Sequence, residues 1–139
     1  LARPGSNPTN VMRDVPNEPA MIEIRNLDRP DEVQPLEKGR LELCTAGGLT
    51  VGRATYEPGW KWSEHVGAAT GDAWCEVEHV VLVLQGRMVV AMRDGERVEI
   101  GPNDLCHIPP GHDAWVVGDQ PYVSLHFAGM DEYARNTRA

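Results

Sequence analysis

The sequence is short of cations. Against 21 Asp and Glu it carries 13 Lys and Arg, a formal net charge of −8. That balance argues against nucleic acid or an anionic membrane as partner, because both recruit a basic surface. Cysteine is scarce as well: Cys44, Cys75 and Cys106 are odd in number, and no two form a CxxC pair. A disulfide framework is therefore not expected, and a reducing compartment, the cytoplasm, is the simpler reading. No run of about 18 apolar residues occurs, so no membrane-spanning helix is expected. The opening LARPGSNPTN has no apolar signal core. There is no P-loop, GxGxxG, GxSxG or HExxH, so none of the chemistries those motifs support is indicated.

What remains is a chain of 139 residues, the size of one domain, with 41% hydrophobic residues to build a core. Leu1 to Pro19 is rich in Pro, Asn and Gly and lacks periodicity. It reads as a flexible arm ahead of a domain over 20–139. Such an arm could pack across a second copy of the chain, and a homodimer is expected.

Alternating or wholly apolar runs predict about ten short strands. They cover Met21–Asn26, Arg40–Thr45, Thr50–Glu57, Trp60–Val66, Val77–Leu84, Met88–Met92, Arg97–Ile100, Leu105–Ile108, Asp113–Val117 and Tyr122–Phe127. Leu27–Lys38, with Pro30 and Pro35, and the Gly-rich Gly67–Ala73 read as loops. Val77–Leu84 is apolar enough to suggest burial on both faces. Asp94-Gly95 is a hairpin signal, and Asp131–Arg138 suits a short terminal helix with acids first and arginines last. Many short strands separated by Pro and Gly indicate an all-β sandwich or barrel.

Three histidines stand out. His65 and His79 lie on different predicted strands, and His112 follows the Pro109-Pro110-Gly111 turn. Neutral imidazole is the commonest side-chain metal ligand, so the three could share an ion. Cys75, four residues before His79, is a fourth candidate. On a straight strand the two would be about 13 Å apart, so Cys75 joins only if the chain bends between them. Glu76 and Glu78 have the opposite parity to His79 and read as solvated carboxylates. Cys106 and His107 are adjacent, so at most one faces inward; His126 could face either way. Asp104 reads as a turn aspartate bonding backbone amides. Trp62, Trp74 and Trp115 are candidates for an apolar pocket wall around a small-molecule ligand, with ordinary core packing as the alternative.

From Thr50 to Phe127 the chain resembles the cupin superfamily. The first cupin motif has the form G-x5-H-x-H-x3,4-E-x6-G, and the second G-x5-P-x-G-x2-H-x3-N. Gly59 and His65 match the start of the first, and Gly86 its end. Pro109 and Gly111 match the centre of the second. IPPGHDAWVVGD is similar to a phrase recurring in small bacterial cupins of unassigned function. The resemblance implies a single-domain jelly-roll β-barrel, here with a short C-terminal helix. Three ligand positions depart from the pattern: Gly67 replaces the second His, His79 the Glu, and Ala114 the motif-two His. His112 shares strand parity with Ala114.

Two outcomes stay open at this point. One is a remodelled centre of His65, His79, His112 and Cys75, whose N/S donors favour zinc, with iron, nickel or copper as alternatives. The other is a barrel that has lost its metal and kept a pocket. Function is open in the same way, between a metal-dependent enzyme acting on a small molecule, a non-catalytic binding or sensing barrel, and a structural barrel.

Overall fold

The computed structural model describes residues 20–137; the expected arm at residues 1–19 lies outside them. Strands β1 (Glu32–Leu36), β2 (Gly39–Ala46) and β3 (Leu49–Tyr56) lead into two one-turn helices, α1 (Trp62–His65) and α2 (Gly67–Thr70). Then come β4 (His79–Gln85), β5 (Arg87–Met92), β6 (Arg97–Ile100), β7 (Leu105–Ile108), β8 (His112–Val117) and β9 (Tyr122–Ala128), followed by α3 (Met130–Thr137). All ladders are antiparallel. Six strands form one sheet in the order β1-β2-β3-β9-β4-β7, and three form a second in the order β6-β5-β8. Among the described residues no ladder joins the two into a closed barrel. They share one core, to which Leu41 and Ala54 contribute from the first sheet and Met88 and Val90 from the second. No described helix is long and apolar enough to cross a membrane.

The chain passes between sheets at Gly86, from β4 to β5. Its φ is +81°, and a Cβ there would lie 2.4 Å from the carbonyl oxygen of Pro121. Only glycine makes that switch without strain. β4 itself corrects one expectation. His79, Val81 and Val83 are buried, whereas Val80 and Leu82 are half-buried and Leu84 is exposed. An antiparallel sheet needs only one face against the core, so the strand is apolar on both sides but buried on one.

Three other expectations change. Met21–Asn26 forms no strand; its last residue makes only an isolated bridge with Arg29. The expected loop after it contains β1, an edge strand, where Pro35 costs no interior hydrogen bond. Trp60–Val66 is not a strand but the turn entering α1, and α2 lies in the expected Gly-rich loop. The cause is long-range. Asp113 on β8 accepts from the Ser63 amide at 3.0 Å and from the Ser63 hydroxyl at 2.8 Å. The carboxylate thus satisfies a donor of the first turn that no local residue caps. The terminal helix forms as expected. Met130, Tyr133 and Ala134, spaced i, i+3, i+4, are buried.

Candidate metal centre

β4 and β8 both begin with a histidine, and both rings turn into the core: His79 and His112 are each 4% exposed. Cys75 reaches them because the chain bends. Its amide donates to the His112 carbonyl at 2.8 Å, and its own carbonyl accepts from the Gly111 amide at 2.8 Å. Cys75 therefore extends the second sheet beyond β8. Residues 76–78 then cross to the first sheet, where His79 pairs with Ile108 of β7. The crossing replaces the separation of a straight strand by 3.8 Å between the Cys75 Sγ and His79 Nε2. One ligand atom from each of Cys75, His79 and His112 lies within 4.8 Å of the other two.

Two neighbours complete the cluster. His126, in β9 beside Val81, sets its ring edge-on to His79 with centroids 5.3 Å apart. Tyr133 of α3 meets the same imidazole edge-on at 5.3 Å, and its hydroxyl accepts from that of Tyr56 at 3.3 Å. Gly129 sets this approach. With φ at +89°, it turns β9 into α3 so tightly that a Cβ would fall 2.0 Å from the Glu78 carbonyl oxygen. Cys75, the three histidines, Tyr56 and Tyr133 line a cavity of about 40 Å³, walled further by Trp60 and Trp62.

His65 is not part of the cluster. On α1 its Nδ1 accepts from the Lys61 amide at 2.9 Å, and its Nε2 lies 3.9 Å from a Glu37 carboxylate oxygen. It was expected on a strand, and the segment is helical there instead. Of the three expected pocket tryptophans, Trp62 lines the cavity and Trp74 a depression outside it. Trp115 lines neither. Lys61 and Arg97 each approach its ring, 5.1 Å from the centroid. Glu76 and Glu78 point outward, as their parity indicates, pairing with Arg93 and, at 2.6 Å, with His107.

The electrostatics suit neutral donors. Burial holds the His79 imidazole well below its ordinary pKa, with His126 and His112 reinforcing the effect. Burial also lowers His112, against the Pro109 carbonyl, which favours its protonated form. It pulls His126 down to about 3. All three rings therefore keep a lone pair at neutral pH. Burial pushes the Cys75 thiol up to about 11, so without a positive partner it stays protonated. A divalent cation would reverse this, since thiols coordinate as thiolates.

The residues fit such an ion. One sulfur and two imidazole nitrogens are a zinc donor set. Tetrahedral zinc with ordinary bond lengths separates its S and N ligands by about 3.6 Å, close to the Cys75–His79 spacing. The 2.7 Å contact of His112 Nδ1 with the Pro109 carbonyl fixes the tautomer, since that oxygen can only accept. It leaves Nε2 as the lone-pair nitrogen, the arrangement in which a metal-bound imidazole is oriented by a carbonyl. The buried Nδ1 atoms of His79 and His126 have no hydrogen-bond partner among the described residues.

No family model matches the sequence, and no curated protein matches it. Solved structures do. The polyketide cyclase RemF from Streptomyces resistomycificus aligns at a TM-score of 0.54 with 17% identity, over 76% of this chain and 78% of that one. A sugar phosphate isomerase of the cupin superfamily from Silicibacter pomeroyi aligns at 0.53 with 20% identity, over 75% and 73%. The chain has a cupin fold. Within that cupin frame, Gly86 and the Pro109–Gly111 turn stand where the motifs put them. The ligand positions do not keep the pattern: Gly67 opens α2, and Ala114 is a small wall of the cavity. The clustered donors come from position 79, where the motif has Glu, and from positions 75 and 112, with His126 behind them.

Proposed function

We propose that this cupin holds a divalent transition metal, zinc being the best match, through Cys75, His79 and His112, and uses it on a small molecule. The observation that carries the reading is the convergence of one thiol and two neutral imidazoles from two sheets, with His112 already oriented by the Pro109 carbonyl. Three protein ligands leave a coordination position open, as catalytic zinc sites do. Bound there, the ion would supply a Lewis acid for a carbonyl or for water. The protein's own contribution is to exclude bulk water, with Tyr56, Trp60 and Tyr133 as apolar walls. His126 sits beside His79 as a neutral imidazole packed edge-on against that ring.

A second reading, a cupin that binds metal without turnover, has one observation in its favour. The cavity is about 40 Å³, room for only a few waters, and among the described residues no carboxylate lines it.

Zinc content separates the triad from its sequence neighbour. Purified, zinc-reconstituted protein should hold one ion per chain. His79→Ala or His112→Ala should weaken binding by more than about 100-fold, since loss of an outer-shell partner alone costs about 10–100-fold. His65→Ala should bind like the wild type. Equal losses in all three variants would overturn the assignment.

A further inference from the structure

Beyond the cavity lies a larger space. A depression of about 340 Å³ shares Trp62, Cys75 and Tyr133 with it, so these three side chains are the partition between the two. The depression is of a size that suits a small organic ligand. Its other walls are unusual in what they omit. Val66 and Val77 are apolar, Trp74 offers a second indole, and the polar groups are Thr70, Asp72 and Glu76. No Lys, Arg or His lines it among the described residues. The guanidinium beside it, that of Arg93, lies 5.8 Å from the Trp74 ring and is already paired with Glu76. Asp72 accepts from the Thr70 hydroxyl at 3.0 Å.

We propose that this depression binds the flat apolar body of a small organic ligand without negative charge, against the Trp62–Cys75–Tyr133 partition that backs onto the Cys75–His79–His112 centre. The proposal rests on the reading of that triad as the functional centre. Two indoles offer stacking faces to an aromatic ring and tolerate a cationic substituent. Within the depression itself, a carboxylate or phosphate would shed water beside Asp72 and Glu76, and among the described residues no cation lines it to replace that water. Sugar phosphates and aryl carboxylates are thus poor fits, and neutral or amine-bearing monocyclic aromatics are good ones.

The test uses the full chain, metal-free as well as zinc-reconstituted, and three probes of one shape, benzyl alcohol, benzylamine and benzoate, with dissociation constants from calorimetry; the charge preference is read on the metal-free chain, where benzoate has no zinc to ligate. The alcohol and the amine should bind, and benzoate should be at least about tenfold weaker, a difference of about 1.4 kcal/mol. Trp74→Ala should weaken the alcohol by about tenfold, the value of a lost aromatic pair. Trp74→Phe should keep most of the affinity, which separates a lost stacking face from a misfolded variant. Benzoate binding as tightly as the alcohol, binding indifferent to Trp74, or no binding by any probe would each overturn the proposal. Zinc measured on the same samples separates the two claims. A protein without zinc that still binds benzyl alcohol through Trp74 refutes the metal centre and leaves the ligand site standing.

Discussion

The Nδ1–H of His112 is committed to the Pro109 carbonyl, and that single bond settles which face of the ring the core receives. The sequence showed His112 and the turn before it but not the bond, which depends on how tightly the Pro-Pro-Gly turn folds back. His126 was harder to place. Its neighbours Leu125 and Phe127 are the apolar residues of β9, and hydropathy alone would bury them. The structure buries Tyr122, Ser124 and His126 instead, and leaves Phe127 37% exposed. The polar parity wins because it faces the site, where Tyr122 also lies. Burial pushes the Tyr122 hydroxyl up to about 12. The folded phenol therefore keeps its proton above the ordinary value of 10.0, where the unfolded chain loses it. Stability from this group is present in full below pH 10 and is lost as pH rises towards 12, at about 1.4 kcal/mol per pH unit. Urea unfolding across that window should show the wild type losing about 2 kcal/mol more than Tyr122→Phe. Parallel profiles would contradict this.

At the scale of elements, most strands were legible because a half-buried strand repeats every two residues. β2, β3 and β5 to β9 fall within a few residues of where alternation and turn signals put them. The exceptions share a cause. β1 contains a proline and is tolerated only by its edge position, a property of the assembled sheet. The α1 turn alternates apolar and polar residues like a strand, yet becomes helical because Asp113 arrives from 50 residues away in sequence to hold Ser63. That contact is testable. The Asp113 carboxylate is nearly buried at 9% exposure. Asp113→Ala removes the cap and leaves the Ser63 donors unmatched, a loss of about 1–3 kcal/mol. Asp113→Asn keeps an acceptor for the Ser63 amide and should cost less. Chemical denaturation of both variants measures the difference; an Ala variant as stable as the wild type would show that α1 stands without the cap.

At the scale of the molecule, the cupin frame was legible in the Gly86 and Pro109–Gly111 turns, because such turns tolerate few residues. The centre was only half legible. Cys75, His79 and His112 were candidates from the start, but so was His65, and no local pattern could separate them. What separates them is the crossing at residues 76–78, which carries the chain from the edge of one sheet to the start of a strand in the other. The thiol is the donor that most directly reports this crossing, because a straight strand would hold it far from His79. Cobalt(II) in place of zinc makes the thiol visible. The wild type should develop an intense near-ultraviolet sulfur-to-cobalt charge-transfer band at one equivalent, and Cys75→Ser should lose the band. In Cys44→Ser and Cys106→Ser the band should remain. A cobalt complex without that band in the wild type, or one whose band survives Cys75→Ser, would contradict the centre described here.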